Sequence, residues 1–360
     1  MPGAETEGPA ARGQWVHAEL LGPSVPTASQ LSLGEGGTVL EAARELGLAL
    51  GVPSLWLKRE DLSPTGSHKA RSLGYLCSHL LAEGRDQAVI SSSGNAAIAA
   101  AAFASLAGMR LLSLVSPLTP RAKLNVLMTH PQLTVLSDRP VALLHHAVGE
   151  WGLADLRGSV NPLAPNAYRG IAAELVAGDP VEAVFVFSSS GATALGLSQG
   201  FEALATPGSQ PRLHVVEGLP GGELTRPWYP GGGHRGAGEA SFSELGARRS
   251  RLAPAVRRAV RQSGGRGWRI GGAELAGMRE LGRNHGLETS WEGLAVLAAI
   301  GRAAELGAGA GRWVAVLTGA AWQLELQPAA EGELPLPRAE SPRELDLLLE
   351  AAGFTRPSAR

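Results

Sequence analysis

Residues 181–201 read VEAVFVFSSSGATALGLSQGF. Apart from Glu182 the first seven are apolar, the next few are small and hydroxylated, and the remainder carries apolar residues at helical spacing. A continuous apolar run, unlike an alternating one, reads as a strand covered on both faces, which places it in a parallel sheet between helices. In such sheets ligands sit beyond the carboxyl ends of the strands. At this turn the backbone amides, the hydroxyls of Ser190 and Thr193 and the helix dipole could together hold a phosphate without a basic residue. The same residues equally suit an ordinary helix cap.

The rhythm continues on both sides. Strand-like runs occur at 54–57, 88–90, 111–115, 133–136, 213–216 and 313–317. Helical patterns lie between them at 68–81, 96–106, 122–128, 168–176, 193–204, 271–281 and 291–305. This alternation predicts an α/β protein with parallel sheets covered by helices. Residues 218–251 break it and read as a long surface loop. The first residues, to about 14, and the tail from about 329 read as poorly ordered ends, with 342–352 (PRELDLLLEAA) as a possible short amphipathic helix. No internal repeat is visible.

At 360 residues the chain is long enough for about two domains. With 33 acidic and 32 basic groups its net charge is −1, which argues against nucleic-acid or anionic-membrane partners. No apolar run approaches the roughly 20 residues of a membrane span, and MPGAETEGPAARGQ lacks the order of a signal peptide, so a cytoplasmic protein is expected. Cys77 is the single cysteine, which excludes an internal disulfide and a cysteine-rich zinc site. Glycine, at 48 residues, is abundant and dispersed, implying many turns.

Of the 32 basic residues three are lysines, Lys58, Lys69 and Lys123. Arginine cannot replace lysine as an amine nucleophile, so such chemistry has three possible positions. Lys58, within KRED, reads as part of a solvated or ion-paired face, and Lys123, within TPRAKLN, as a helix-surface lysine. Lys69 starts an apolar helix, where the dipole disfavours a cation. It is either an exposed helix lysine or an imine-forming nucleophile. Two further turns, SPTGSHK (63–69) and SSSGN (91–95), also lead into helices.

Taken together, in this order, the segments resemble the fold type II pyridoxal-phosphate enzymes, and within them threonine synthase. The resemblance runs through LSLGEGGTVLEA (31–42), LWLKREDLSPTGSHKARS (55–72), SSSGNAAIAAAAFASLAGMR (91–110), residues 181–201, HGLETSWEGLAVLAA (285–299) and VAVLTG (314–319). It implies pyridoxal 5'-phosphate as cofactor and two domains: 19–72 with 165–328 as the larger, 73–164 as the smaller, flanked by a disordered 1–18 and a tail, 329–360. It implies that Lys69 carries the cofactor as a Schiff base and moves the Cα proton of the substrate. Asn95 would bond the ring 3'-oxygen, and Ser189, Ser190, Gly191, Ala192 and Thr193 the phosphate. Thr318 would set a neutral hydroxyl against the ring nitrogen, which suits elimination and replacement better than transamination. Ser92, Ser93, Gly94 and Ala96 would grip the substrate carboxylate, with Thr65 and Glu292 as lesser substrate candidates. The implied protein is a homodimeric, cytoplasmic lyase of amino-acid metabolism, of threonine biosynthesis in particular. It would convert O-phosphohomoserine and water to threonine and phosphate and bind no metal. A serine/threonine dehydratase and a non-catalytic cofactor-binding relative are the alternatives.

The chain departs from the family in three places. GSFKDR appears as residues 66–71, GSHKAR, in which His68 resembles tryptophan synthase β and Lys69-Ala70-Arg71 the dehydratases. GSGGT appears as SSGAT (189–193), so a positive φ at Ser189 or Ala192 would strain the turn. The substrate-phosphate site has no clear motif, Arg121, Lys123 and Arg169 being the candidates. A dinucleotide motif at Gly231, Gly233 and Gly236 follows no strand, there is no GxSxG elbow, and His145-His146 reads as a helix-surface pair.

Overall fold

Two sheets organise the chain in the computed structural model, which describes residues 12–357 except 93, 205, 207, 220–221, 230–249, 308 and 322–334. The larger contains β1 (Leu40–Ala42), β2 (Leu55–Lys58), β7 (Val181–Phe187), β8 (Arg212–Gly218), β9 (Gly267–Ile270) and β10 (Arg312–Val316) in the order β1-β2-β10-β7-β8-β9. β1 pairs antiparallel and every other pairing is parallel. The smaller sheet is wholly parallel, in the order β5-β4-β3-β6, from β3 (Gln87–Ser91), β4 (Arg110–Val115), β5 (Leu133–Leu136) and β6 (Ala154–Asp155).

The continuous apolar runs are explained by their neighbours. Val184 and Val186 of β7, with Val314 and Val316 of β10, pack into the core shared with α2 (Lys69–Ala82), α3 (Asn95–Ala107), α6 (Arg169–Val176) and α7 (Ala192–Leu204). Phe185 and Phe187 face the other way, onto α9 (Gly272–Asn284) and α10 (Trp291–Glu305). Close helix packing uses small residues. A Cβ on Gly74 of α2 would fall 2.8 Å from Phe103 of α3, and one on Gly196 of α7 would fall 2.7 Å from the Cβ of Tyr168.

Several elements escape the sequence reading. The edge strands β1, β6 and β9 are too short for a pattern, and α1 (Arg44–Ala49) is barely two turns. α5 (Pro140–Trp151) and α8 (Ala253–Gln262) have no capping side chain, each starting with a proline in its first turn. The expected surface loop at 218–251 is partly core. Leu224 and Thr225 are buried because the Glu217 carboxylate accepts from both their amides, at 3.3 and 2.9 Å. The dinucleotide-like glycines lie outside the described residues. The described parts of both end segments contribute to the core. Gln14 and Trp15 are buried, and α11 (Pro342–Ala351) forms as read but packs Leu345 and Leu349 onto the smaller sheet with Phe354. A capping box, Ser341 with Glu344, starts the helix.

One core histidine makes stability depend on pH. His214 of β8 stacks on Phe185, with ring centroids 4.2 Å apart, and its Nδ1 accepts from Trp268 Nε1 at 3.0 Å, while Nε2 is buried without a partner. Burial, then Arg212 and Arg266, push the imidazole down to about 3 from 6.5. The unfolded chain therefore binds a proton that the folded chain refuses as pH falls from about 6.5 to about 3. Stability should drop by up to about 1.4 kcal/mol per pH unit on this account. Urea titrations between pH 6 and 4 should give a shallower slope for His214→Gln than for the natural protein, and equal slopes would contradict the assignment.

Candidate active site

Because β10 lies between β2 and β7, the segments leaving these three strands emerge side by side. Ser67 bridges to Gly319, His68 N donates to the Thr318 carbonyl at 3.2 Å, and Ala320 N donates to the Gly66 carbonyl at 2.9 Å. Gly66 has φ +69°, which turns the chain into α2 so that Lys69 is its first residue. The starts of α2, α3, α7 and α10 meet around a cavity of about 150 Å³. At about 10–15 Å³ per water on this measure, the space suits a small substituted ring.

Lys69 and His68 form one wall and Ser92, Gly94, Asn95 and Ala96, at the start of α3, another. Ser189 and Thr193 contribute from the turn after β7, Thr318 from the end of β10, and Glu292 from the first turn of α10. His68, Phe187 and Ser188, none of them expected at the site, also line it, as does Lys123, one of the three candidates for the substrate phosphate. Ser190, Gly191 and Ala192 shape the turn and are not on the cavity wall, Thr65 is buried away from it, and Ser93 lies outside the described residues.

The amine at the centre is partly buried and held. Lys69 Nζ donates to Tyr168 Oη at 3.4 Å, and Tyr168 Oη is 2.8 Å from Ser72 Oγ, which donates to the Lys69 carbonyl at 3.3 Å. With the serine proton committed, the tyrosine proton goes to Ser72, leaving its lone pairs for the lysine. Tyr168 was not visible as a site residue, since an aromatic opening a helical pattern reads as core.

The two other lysines diverge. Lys58 is ion-paired and fully buried, 2.5 Å from Glu174 and equally close to the Thr38 carbonyl, which rules out the solvated face. Lys123, expected on a helix surface, instead reaches the cavity from the first turn of α4 (Arg121–Met128), where its Nζ would lie 3.6 Å from a Cβ on Gly94. Arg121 and Arg169 do not line the cavity, and Arg169 is engaged with Gln199 and the Leu20 carbonyl.

The turn after β7 is unstrained. Among the described residues no non-glycine has positive φ, so Ser189 and Ala192 are at ease, and Gly191 supplies the one left-handed step at φ +91°. A Cβ at Gly191 would also meet Val256 Cγ2 at 2.9 Å. Ser188 Oγ accepts from Gly191 N at 3.1 Å and so holds the turn open. Asn95 carries the clearest signal of a missing partner: its side-chain Oδ1 is buried without a hydrogen bond. No group of three histidine, cysteine, aspartate or glutamate side chains placed to hold a metal occurs among the described residues. His146 of the surface pair instead bonds Asp346 at 2.7 Å.

An amine beside an unmet amide oxygen, a hydroxylated turn at a helix start and a second cation suits a compact ligand bearing a carbonyl, a ring hydroxyl and an anionic arm. Comparison with known proteins points the same way. Residues 31–319 match the model of a family described as pyridoxal-phosphate dependent enzyme. The threonine synthase of Mycobacterium tuberculosis is 31% identical over 151 residues, 41% of this chain and 42% of that protein, and that of Mycobacterium leprae is 39% identical over 85 residues, 24% and 23%. The match thus spans less than half of these relatives. Among solved structures, O-ureido-L-serine-bound O-ureido-L-serine synthase (K43A) superposes with a TM-score of 0.66 at 18% identity, over 83% of this chain and 93% of that one. The Solanum lycopersicum threonine deaminase isoform 2 gives 0.64 at 19%, over 91% and 90%. These likenesses establish the fold.

Proposed function

This chain belongs to the pyridoxal-phosphate-dependent enzyme family, and from that premise we propose that it is a threonine synthase-like lyase converting O-phosphohomoserine and water to threonine and phosphate. The residues present fit the cofactor: the unmet Asn95 oxygen, the unstrained turn at Gly191 and an amine in one cavity are what a ring phosphate-aldehyde needs. Bound there, pyridoxal phosphate supplies an electron-withdrawing ring that stabilises negative charge at the amino acid's Cα.

The chain's own residues would do the rest. Lys69 Nζ would hold the cofactor and take and return the Cα proton, steadied by Tyr168. Asn95 would bond the ring 3'-oxygen, and Thr318 would face the ring nitrogen with a hydroxyl that cannot protonate it as a carboxylic acid would. Ser189, Ser190, Gly191, Ala192 and Thr193 would hold the cofactor phosphate largely by backbone amides at the start of α7. The start of α3, at Ser92, Gly94, Asn95 and Ala96, would receive the substrate carboxylate. Glu292, on the cavity wall, would act as a substrate-side acid, whereas Thr65 does not line the cavity.

The observation that carries the choice of an anionic substrate is Lys123, a cation beside the carboxylate-binding turn. A distal phosphate would gain a charge-assisted bond from it, which a plain hydroxyamino acid would not. Lys123→Gln should therefore raise KM for O-phosphohomoserine about 10- to 100-fold, the loss of roughly 1.5–3 kcal/mol, while leaving the cofactor's visible spectrum in place. Phosphate release from O-phosphohomoserine, compared with keto-acid release from serine and threonine, tests the reaction. Keto acid without phosphate release would replace the synthase reading with a dehydratase, and no turnover despite bound cofactor would favour a non-catalytic relative. The homodimer and the two-domain division implied by the family resemblance remain part of this proposal.

A further inference from the structure

The wall that would receive the cofactor phosphate has an electrostatic gap. The turn 188–193 contains no lysine or arginine, and no arginine lines the cavity among the described residues. Of its side chains Ser188, Ser189 and Thr193 line the cavity, and the Thr193 hydroxyl, at the start of the helix, is already engaged. His68 Nε2 is 3.0 Å from Thr193 Oγ1, and His68 Nδ1 is 2.9 Å from the Thr318 carbonyl. A carbonyl can only accept, so Nδ1 carries the ring's proton, and in a neutral ring Nε2 must then accept the Thr193 proton. Thr193 consequently shows the cavity lone pairs alone, the wrong polarity for a phosphate oxygen.

We infer that His68 is the latent counter-ion of the cofactor phosphate, taking up one proton from solvent when the phosphate seats and passing a hydrogen bond to it through Thr193. In the bound arrangement Nδ1–H still donates to the Thr318 carbonyl. Nε2–H, newly protonated, donates to Thr193 Oγ1, and the threonine proton turns onto a phosphate oxygen. Every hydrogen bond survives with one reversed in direction, no other group changes protonation, and the incoming dianion balances the imidazolium.

The surroundings favour a conditional charge over a permanent one. Facing His68 are the Lys69 ammonium next to it in α2, the Arg71 guanidinium one turn on and the Tyr168 ring at 5.3 Å, with Lys123 and Glu292 sharing the cavity. Without a ligand, burial first, then Lys69, with a smaller share from Arg71, hold the ring well below the usual imidazole range, against the pull of the Thr318 carbonyl. Arg71 is compensated by Glu60 and Glu174, so the arriving phosphate is the group that can reverse the balance.

Pyridoxine 5'-phosphate, which lacks the aldehyde, isolates this step from lysine chemistry. Its phosphate ionises near pH 6 and is dianionic at pH 8. Calorimetric titration of the cofactor-stripped protein at pH 8, in buffers of different ionisation enthalpy, should show uptake of about one proton per site, and the Kd should rise about tenfold per pH unit from 7.5 to 9. His68→Phe should abolish both the uptake and the pH dependence. Thr193→Val keeps the histidine and breaks the relay, so it should do the same. Circular dichroism of both variants checks the fold, and a purely structural His68 would leave proton uptake unchanged in Thr193→Val. Binding by the natural protein without proton uptake, or undiminished uptake in a folded His68→Phe or Thr193→Val variant, would overturn the inference. Neither result depends on which reaction the enzyme catalyses.

Discussion

Replacing Lys69 with alanine is expected to lower turnover by at least about 10³-fold and to abolish the borohydride-stable cofactor label, whatever the amino-acid substrate proves to be. The expectation is strong because alternatives are few. Lys58 is sealed in an ion pair with Glu174 and is 1% exposed, so it cannot reach a carbonyl compound. Lys123 shares the cavity and is the one other amine that could respond. Peptide mapping of the natural protein after reduction should place the label on Lys69. Labelling of Lys123 in the natural protein would refute the assignment, whereas weak labelling of Lys123 confined to Lys69→Ala would show only that the cavity admits the cofactor. Lys69→Arg should be as inactive as alanine, since a guanidinium keeps the charge and lacks a nucleophilic amine.

The architecture was legible in the sequence because the strands that build it are buried on both faces. The run at 181–187 becomes β7 with unchanged bounds, and 291–305 becomes α10 likewise, each signalled by uninterrupted apolar residues or by a helix start. The candidate site was legible where a turn follows such a strand, since backbone amides at a helix start do not depend on distant residues. What sequence could not reveal is convergence. Lys123 comes from α4 and Tyr168 from the turn before α6, and nothing local distinguishes them from a surface lysine and a core aromatic. His68 was noticed as unusual, but its link to Thr193 spans 125 residues and exists only in the folded chain. The strain anticipated at Ser189 and Ala192 was a fair inference from a glycine-rich family motif, and it failed because a single left-handed residue suffices to make the turn.

The largest loss of stability is expected from Arg71→Ala, about 3–5 kcal/mol, because the charges it leaves behind are buried. Arg71 is fully buried two residues beyond Lys69. Its Nε and Nη2 donate to the two oxygens of Glu60 at 2.8 and 2.7 Å, and its Nη1 and Nη2 to those of Glu174 at 2.8 Å each. Lys58 completes the cluster on Glu174, and Thr38 Oγ1 donates to Glu60 at 2.6 Å. Two cations and two anions therefore cancel inside the protein. Against burial, which raises it, Arg71 and Lys58 hold the Glu174 carboxyl down to about 2. This lowering stabilises the fold above about pH 4.5 and is lost as pH falls toward 2. Without Arg71, Glu60 keeps its burial and loses its cation. Arg71→Lys keeps a charge but cannot reproduce two forked contacts, so it should fall between the natural protein and alanine. Arg71→Met combined with Glu60→Gln removes one charge of each sign and leaves Lys58 with Glu174, so it should be more stable than Arg71→Ala. Urea unfolding of the four proteins measures this order. A loss below about 1 kcal/mol for Arg71→Ala, or no recovery in the double variant, would show that the cluster does not hold the start of α2 in place.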